Sequence, residues 1–211
     1  MEIPGGPWDP SLEGRTKTMK MSIALLGLLP IIGCATYPVT DLDDPGIRQI
    51  ARDAVLYEGP ELVAVVGYLQ AQRSLGDEWL ILAVELTSRR GNRAIAISRA
   101  DITLRTPDGR RLTLIRQEEY RSNFPRLQIP VERSLRTLPL LYRFEQDRAP
   151  CGRWFFVSQP GEIAFDEVTV SSFQACSGPL LFKVRGGVQP GRWRLVIELE
   201  ESRASIPFVL E

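Results

Sequence analysis

The sequence predicts a mainly β domain, an antiparallel β-sandwich, on three observations. From about residue 47 the apolar residues recur mainly with a period of two, turn signals rich in glycine and proline separate short apolar segments, and one segment is apolar on both faces. Residues 47–54 are expected to form a brief helix. Leu62, Ala64, Val66 and Tyr68 then alternate with Val63 and Val65. Leu80, Leu82, Val84 and Leu86 make one apolar face, and Trp79, Ile81 and Ala83 the other, which predicts a central strand covered on both sides. Ile95 and Ile97 precede Ile102 and Leu104. The run Thr106-Pro107-Asp108-Gly109-Arg110 predicts a tight hairpin, because Pro107 presets φ and Asp108-Gly109 tolerate a positive φ. Leu112 and Leu114 resume the alternation.

Residues 116–150 contain Pro125, Pro130, Pro139 and Pro150, which limit regular hydrogen bonding. They read as a loop with a short helix near 132–136 and a strand near 140–144. Further strands are expected at 154–157, 163–170 and 179–184. A glycine-rich turn over 186–191 leads into Trp193, Leu195, Ile197 and Leu199, and Ile206, Phe208 and Leu210 close the chain. Seven to nine short strands of this kind describe a sandwich or barrel.

Composition restricts function. Hydrophobic residues make up 44% and charged residues 25% of the 211, enough for a real core. The formal net charge is +0, so no global field draws the chain to nucleic acid. Histidine is absent, which removes Ser-His-Asp and Cys-His activation and histidine-ligated zinc. No nucleophile elbow, phosphate loop or dinucleotide fingerprint occurs. The doublets Glu118-Glu119 and Glu200-Glu201 are poor acid pairs, since neighbours on a strand point to opposite faces. Trp79, Trp154, Trp193, Tyr68 and Tyr120 could stack sugars, but core packing is the commoner fate of sandwich aromatics. No catalytic residue, cofactor or metal is expected.

The N-terminal residues describe an address. Arg15, Lys17 and Lys20 precede the apolar run 23–32, ten residues where a bilayer span takes about 20. The run ends in Ile31-Ile32-Gly33-Cys34, which resembles the lipobox of bacterial lipoproteins. The resemblance implies cleavage between Gly33 and Cys34 and acylation of Cys34, with membrane lipid as the partner of the acyl chains; two or three chains hold firmly where one does not. Residues 1–33 are then a signal peptide, with Met19 or Met21 as a candidate start, and 34–46 a lipidated tether marked by Pro38, Pro45 and Gly46. Ala35 after the cysteine implies, by the same resemblance, the outer membrane facing the periplasm.

Once Cys34 is acylated, Cys151 and Cys176 remain as an even pair in an oxidising compartment, and a disulfide is expected. Two separate buried thiols are the alternative. The stretch 76–110, a covered strand followed by the Pro107-Asp108-Gly109-Arg110 hairpin, is similar to small Ig-like domains of bacterial surface lipoproteins. That resemblance implies an Ig-like topology for residues 47–211 and carries over no functional residue.

One surface stands out in the irregular stretch. Arg116, Arg121, Arg126 and Arg133, with Arg136, Arg143, Arg148 and Arg153, outnumber the local acids. They are a candidate docking surface for an envelope protein or anionic polymer, against the blander reading of a salt-bridged, solvated loop. The expected function is a non-catalytic lipoprotein acting in binding or assembly at the cell envelope. The alternative is an envelope hydrolase using carboxylates on glycan or peptide.

Overall fold

The computed structural model describes residues 46–89, 91, 93–136, 148–158 and 162–211. The chain is mainly β, and its antiparallel sheets pack as a sandwich. The first sheet has the order β1 (Ile47–Ala51), β2 (Ala54–Glu58), β3 (Leu62–Gly67), β4 (Trp79–Ser88), β10 (Gln174–Lys183), β8 (Ala149–Pro150). The second runs β12 (Arg203–Leu210), β11 (Gly191–Glu198), β6 (Ile102–Arg105), β7 (Arg111–Thr113). β5 (Ile95–Ser98) and β9 (Glu167–Val170) form a separate two-stranded ladder. The helical elements among the described residues are α1 (Leu69–Arg73), α2 (Gln117–Arg136) and a single 3-10 turn, Arg99–Asp101. Among these ladders only β8–β10 is parallel.

The doubly apolar strand occupies the interior, as its pattern predicts: every residue of β4 is buried. Leu80, Leu82, Val84 and Leu86 share one cluster with Trp193, Leu195, Ile197, Ile206 and Phe208 of the second sheet. On the outer face, Ala83 joins Leu56 and Val65, and Leu135 of α2 packs against them. Helix α2 lies against β4 and β10, so the first sheet is covered on both faces. Full burial of each such aliphatic side chain is worth roughly 1.5–3 kcal/mol.

The expected helix over 47–54 is instead the hairpin β1–β2, with Ile47 opposite Tyr57 and Gln49 opposite Val55. Ile47 and Ile50 share a side at helical spacing, but on a strand an odd separation sends them to opposite faces. Ile47 belongs to the inter-sheet core, whereas Ile50 packs on the outer cluster. Both faces being covered, an apolar residue suits each, and the spacing imitates a helix.

The expected strand over 154–157 is not one. Trp154, Phe155 and Phe156 are all buried in an irregular segment whose polar backbone is satisfied largely by side chains. Arg99 donates to the Phe155 carbonyl at 2.6 Å and the Ile115 carbonyl at 2.7 Å, and its guanidinium lies 4.8 Å from the Phe156 ring centre. Gln117 donates to the Val157 carbonyl at 3.0 Å. Side chains thus replace a ladder here, and period-two apolarity cannot reveal that substitution. Regular structure in 163–170 begins only at Glu167.

The β6–β7 hairpin forms where predicted, pairing Leu104 with Leu112, with Gly109 at φ 85°. The Thr106 hydroxyl donates to Asp108, and Arg110 adds an ion pair at 2.8 Å, so the Asp108 carboxyl is held below the ordinary aspartate value, with Thr106 the larger cause. A lowered folded-state pKa contributes stability above the unfolded value and loses it as pH falls through the folded one. Carboxyl NMR should therefore show Asp108 titrating below an ordinary aspartate, and Thr106→Val should move its midpoint upward. An unmoved midpoint would remove the hydroxyl from this account.

Sheet edges are guarded. Edge strand β12 carries Pro207, which offers no N–H to a passing strand, and edge strand β1 has a register irregularity between Gln49 and Ala51. The β10 edge facing away from β4 is closed in pieces. Cys151 N–H donates to Ala175 O at 3.0 Å, the Trp154 indole to Pro179 O at 2.9 Å, and Ile115 N–H to Leu181 O at 3.1 Å.

Candidate functional site

Helix α2 corrects the expected loop over 116–136. Tyr120, Phe124, Leu127, Val131 and Leu135 fall three or four residues apart and form its apolar stripe. Tyr120 and Phe124 meet edge to face at 5.7 Å, and the Tyr120 hydroxyl shares a hydrogen bond of 3.1 Å with Ser158. Burial raises the Tyr120 pKa above the ordinary tyrosine value. Pro125 and Pro130 sit inside the helix, on the side away from that stripe: Pro125 is exposed and Pro130 half-buried. The packing of the stripe outweighs the two backbone hydrogen bonds those prolines cannot make. The expected short helix at 132–136 is the end of this longer one. The expected strand near 140–144, and Arg143, lie outside the described residues.

Of the predicted arginines, Arg116, Arg121, Arg126, Arg133 and Arg136 lie on or next to α2, whereas Arg148 and Arg153 flank β8. Arg116 precedes the helix, is exposed, and makes no ion pair among the described residues. Arg121 donates to the Glu162 carbonyl at 3.3 Å, and Arg126 pairs with Glu78 at 3.2 Å. Arg126 and Arg133 are seven residues apart, two turns along one exposed side, with Ile129, 59% exposed, between them. Arg121 projects elsewhere around the helix. The structure therefore groups Arg126 and Arg133 and separates the other two. The exposed pairs, including Arg136–Glu132 at 3.8 Å, are worth at most about 1 kcal/mol each and leave the guanidinium groups free to exchange partners.

Cys151 and Cys176 are bonded, as expected. Cys176 is fully buried, and beside Cys151 opens a cleft of about 330 Å³ lined by Gly152, Arg153, Thr169 and Gln174 together with Cys151 itself. Three of the four acids in the doublets are engaged in ion pairs: Arg93 bridges Glu200 at 2.6 Å and Glu201 at 3.1 Å, and Glu119 holds Lys183 at 3.2 Å. The five aromatics considered for sugar stacking are all buried. Among the described residues no group of three or more acids and cysteines is placed to hold a metal. Gly33 and Cys34 lie outside the described residues.

Two features escaped the sequence reading. Glu85, in the middle of β4, is completely buried, and its only signal is a carboxylate in an apolar run. Phe173, at the turn between β9 and β10, is 81% exposed and sits among polar neighbours that carry no period. No protein-family model, curated protein or solved structure matches this chain.

Proposed function

We propose that this protein is a non-catalytic lipoprotein, held to the bacterial envelope by acyl chains on Cys34, whose Ig-like sandwich binds or assembles envelope components. The carrying observation is the sequence of the leader's parts: a basic segment, the ten-residue apolar run and then Ile31-Ile32-Gly33-Cys34. The Cys151–Cys176 bond supports it, because such bonds persist in oxidising compartments. Ala35 favours the outer membrane, facing the periplasm. Labelled palmitate should enter the protein when it is expressed in a bacterium, Cys34→Ser should abolish the label, and globomycin should block removal of residues 1–33. Palmitate-free processing, or processing indifferent to globomycin, would end this reading.

The exposed side of α2 with Arg126, Ile129 and Arg133 is the proposed contact for an anionic polymer or acidic envelope protein, with Arg116 and Arg121 at its margins. Changing the four arginines to serine should weaken retention on isolated envelopes and make it insensitive to salt. Unchanged retention would leave the arginines as solvated surface.

A further inference from the structure

We propose that the end of the sandwich bearing Phe173 is the face laid against the bilayer, with the Phe173 ring entering the lipid interface. This rests on the reading of Cys34 as the acylated residue.

The register of the first sheet carries the argument. Ile47 pairs with Tyr57, Tyr57 with Ala64, Ala64 with Leu86, and Leu86 with Cys176. These five residues form one row across the sheet. The chain therefore arrives at β1 on the same end of the sheet from which β10 departs, and Phe173 lies just before β10. Four strand spacings separate β1 from β10, about 19 Å. Eleven residues lie between Cys34 and Gly46, twelve backbone steps with a reach of at most about 43 Å. A tether that joins the domain at this end needs the least extension when this end is the one turned toward the membrane.

The tip is built rather than loose. Ala149 N–H donates to the Phe173 carbonyl at 2.9 Å, Gln174 N–H to Ser171 O at 3.3 Å, and Arg148 Nε to Ser172 O at 3.1 Å. A braced turn that presents an aromatic ring 81% to solvent has no use for it inside the fold. Phenylalanine, with tryptophan and leucine, is among the apolar side chains that surface-bound elements bury at the boundary of headgroups and acyl chains. At this same end Arg93 sits between Glu200 and Glu201, and the Ser202 hydroxyl donates to Glu61, tying the β11–β12 turn to the β2–β3 turn. The opposite end, where β10 finishes near Arg185, then faces away from the lipid.

Single tryptophans report the face directly, since Trp8 leaves with residues 1–33 and Trp79, Trp154 and Trp193 are buried and give a fixed background. The full chain, purified from bacterial membranes with its anchor mass measured, is reconstituted into phosphatidylethanolamine–phosphatidylglycerol vesicles with brominated acyl chains. The emission added by Phe173→Trp should shift to the blue and be lost in brominated lipid, and that added by Arg185→Trp should not. With acyl chains present on Cys34, an unquenched Phe173→Trp, or equal quenching at both positions, overturns the orientation alone. Absence of the acyl mass overturns the anchor and the orientation with it.

Discussion

Replacing Cys151 and Cys176 together by alanine should lower the unfolding free energy by about 3 kcal/mol, as a fall in the guanidinium midpoint with a modest rise in slope, because the unfolded chain without the cross-link exposes more surface. The bond closes a loop with a sequence separation of 25, and a chain so constrained has less freedom to gain on unfolding. The native contacts sharpen the effect. Strand β8 is two exposed residues paired only with Gln174 and Ala175, too short a ladder to hold itself to the sheet. Cys176 is anchored in the inter-sheet core, so the bond transfers that rigidity to β8 and to the cleft beside it. Amide exchange at residues 148–152 should therefore accelerate in the double variant before the rest of the domain opens. A loss of about 3 kcal/mol is large beside the roughly 5–15 kcal/mol typical of a domain. If the oxidised protein and the double variant unfold at the same midpoint, the bond is ornamental and β8 is held by something else.

The elements legible in the chain are those in which apolar residues fill one face or both faces of a single strand, or in which a turn has its own chemistry. The central position of β4, the hairpin closed by Gly109, and the burial of Trp193 beside Leu195 and Ile197 follow from side-chain alternation and from φ. Helix α2 was equally written in the chain, in the stripe from Tyr120 to Leu135, but Pro125 and Pro130 argue locally for a break. Only the sheet surface waiting to be covered decides between the two. The segment 154–157 fails for the converse reason. Its apolar content is that of a strand, yet its backbone partners, Arg99 and Gln117, come from distant parts of the chain. Of the candidate site, the cysteine pair was legible by elimination, and the arginines by density. Their division into Arg126 and Arg133 on one side, and Arg121 on another, needed the helix. Exposure of Phe173 was not legible at all, because a turn residue's contact with solvent leaves no periodic trace.

Gly178→Ala should be among the most damaging single substitutions in the domain, costing about 3 kcal/mol although it adds one methyl group. Gly178 lies in β10 opposite Val84, and the Trp154 indole rests flat on it. A Cβ there would lie 2.1 Å from the indole nitrogen and 2.2 Å from Cε2. Neither partner can yield cheaply. The strand is fixed by its ladder to β4, and the indole is fixed by its bond to the Pro179 carbonyl and by Phe155, 5.2 Å away centre to centre. Forcing Trp154 out gives up its burial, leaves the Pro179 carbonyl without its donor, and opens the β10 edge that the indole closes. Trp154→Ala should cost about 3–5 kcal/mol by leaving a cavity in the same place. The two changes act on one contact, so they should not add: with the indole gone, an alanine at 178 has nothing to strike, and the double variant should be scarcely less stable than Trp154→Ala alone. Denaturant unfolding of the four proteins measures this coupling. A Gly178→Ala variant as stable as the parent, or strict additivity of the two changes, would mean that the indole does not rest on this glycine in solution.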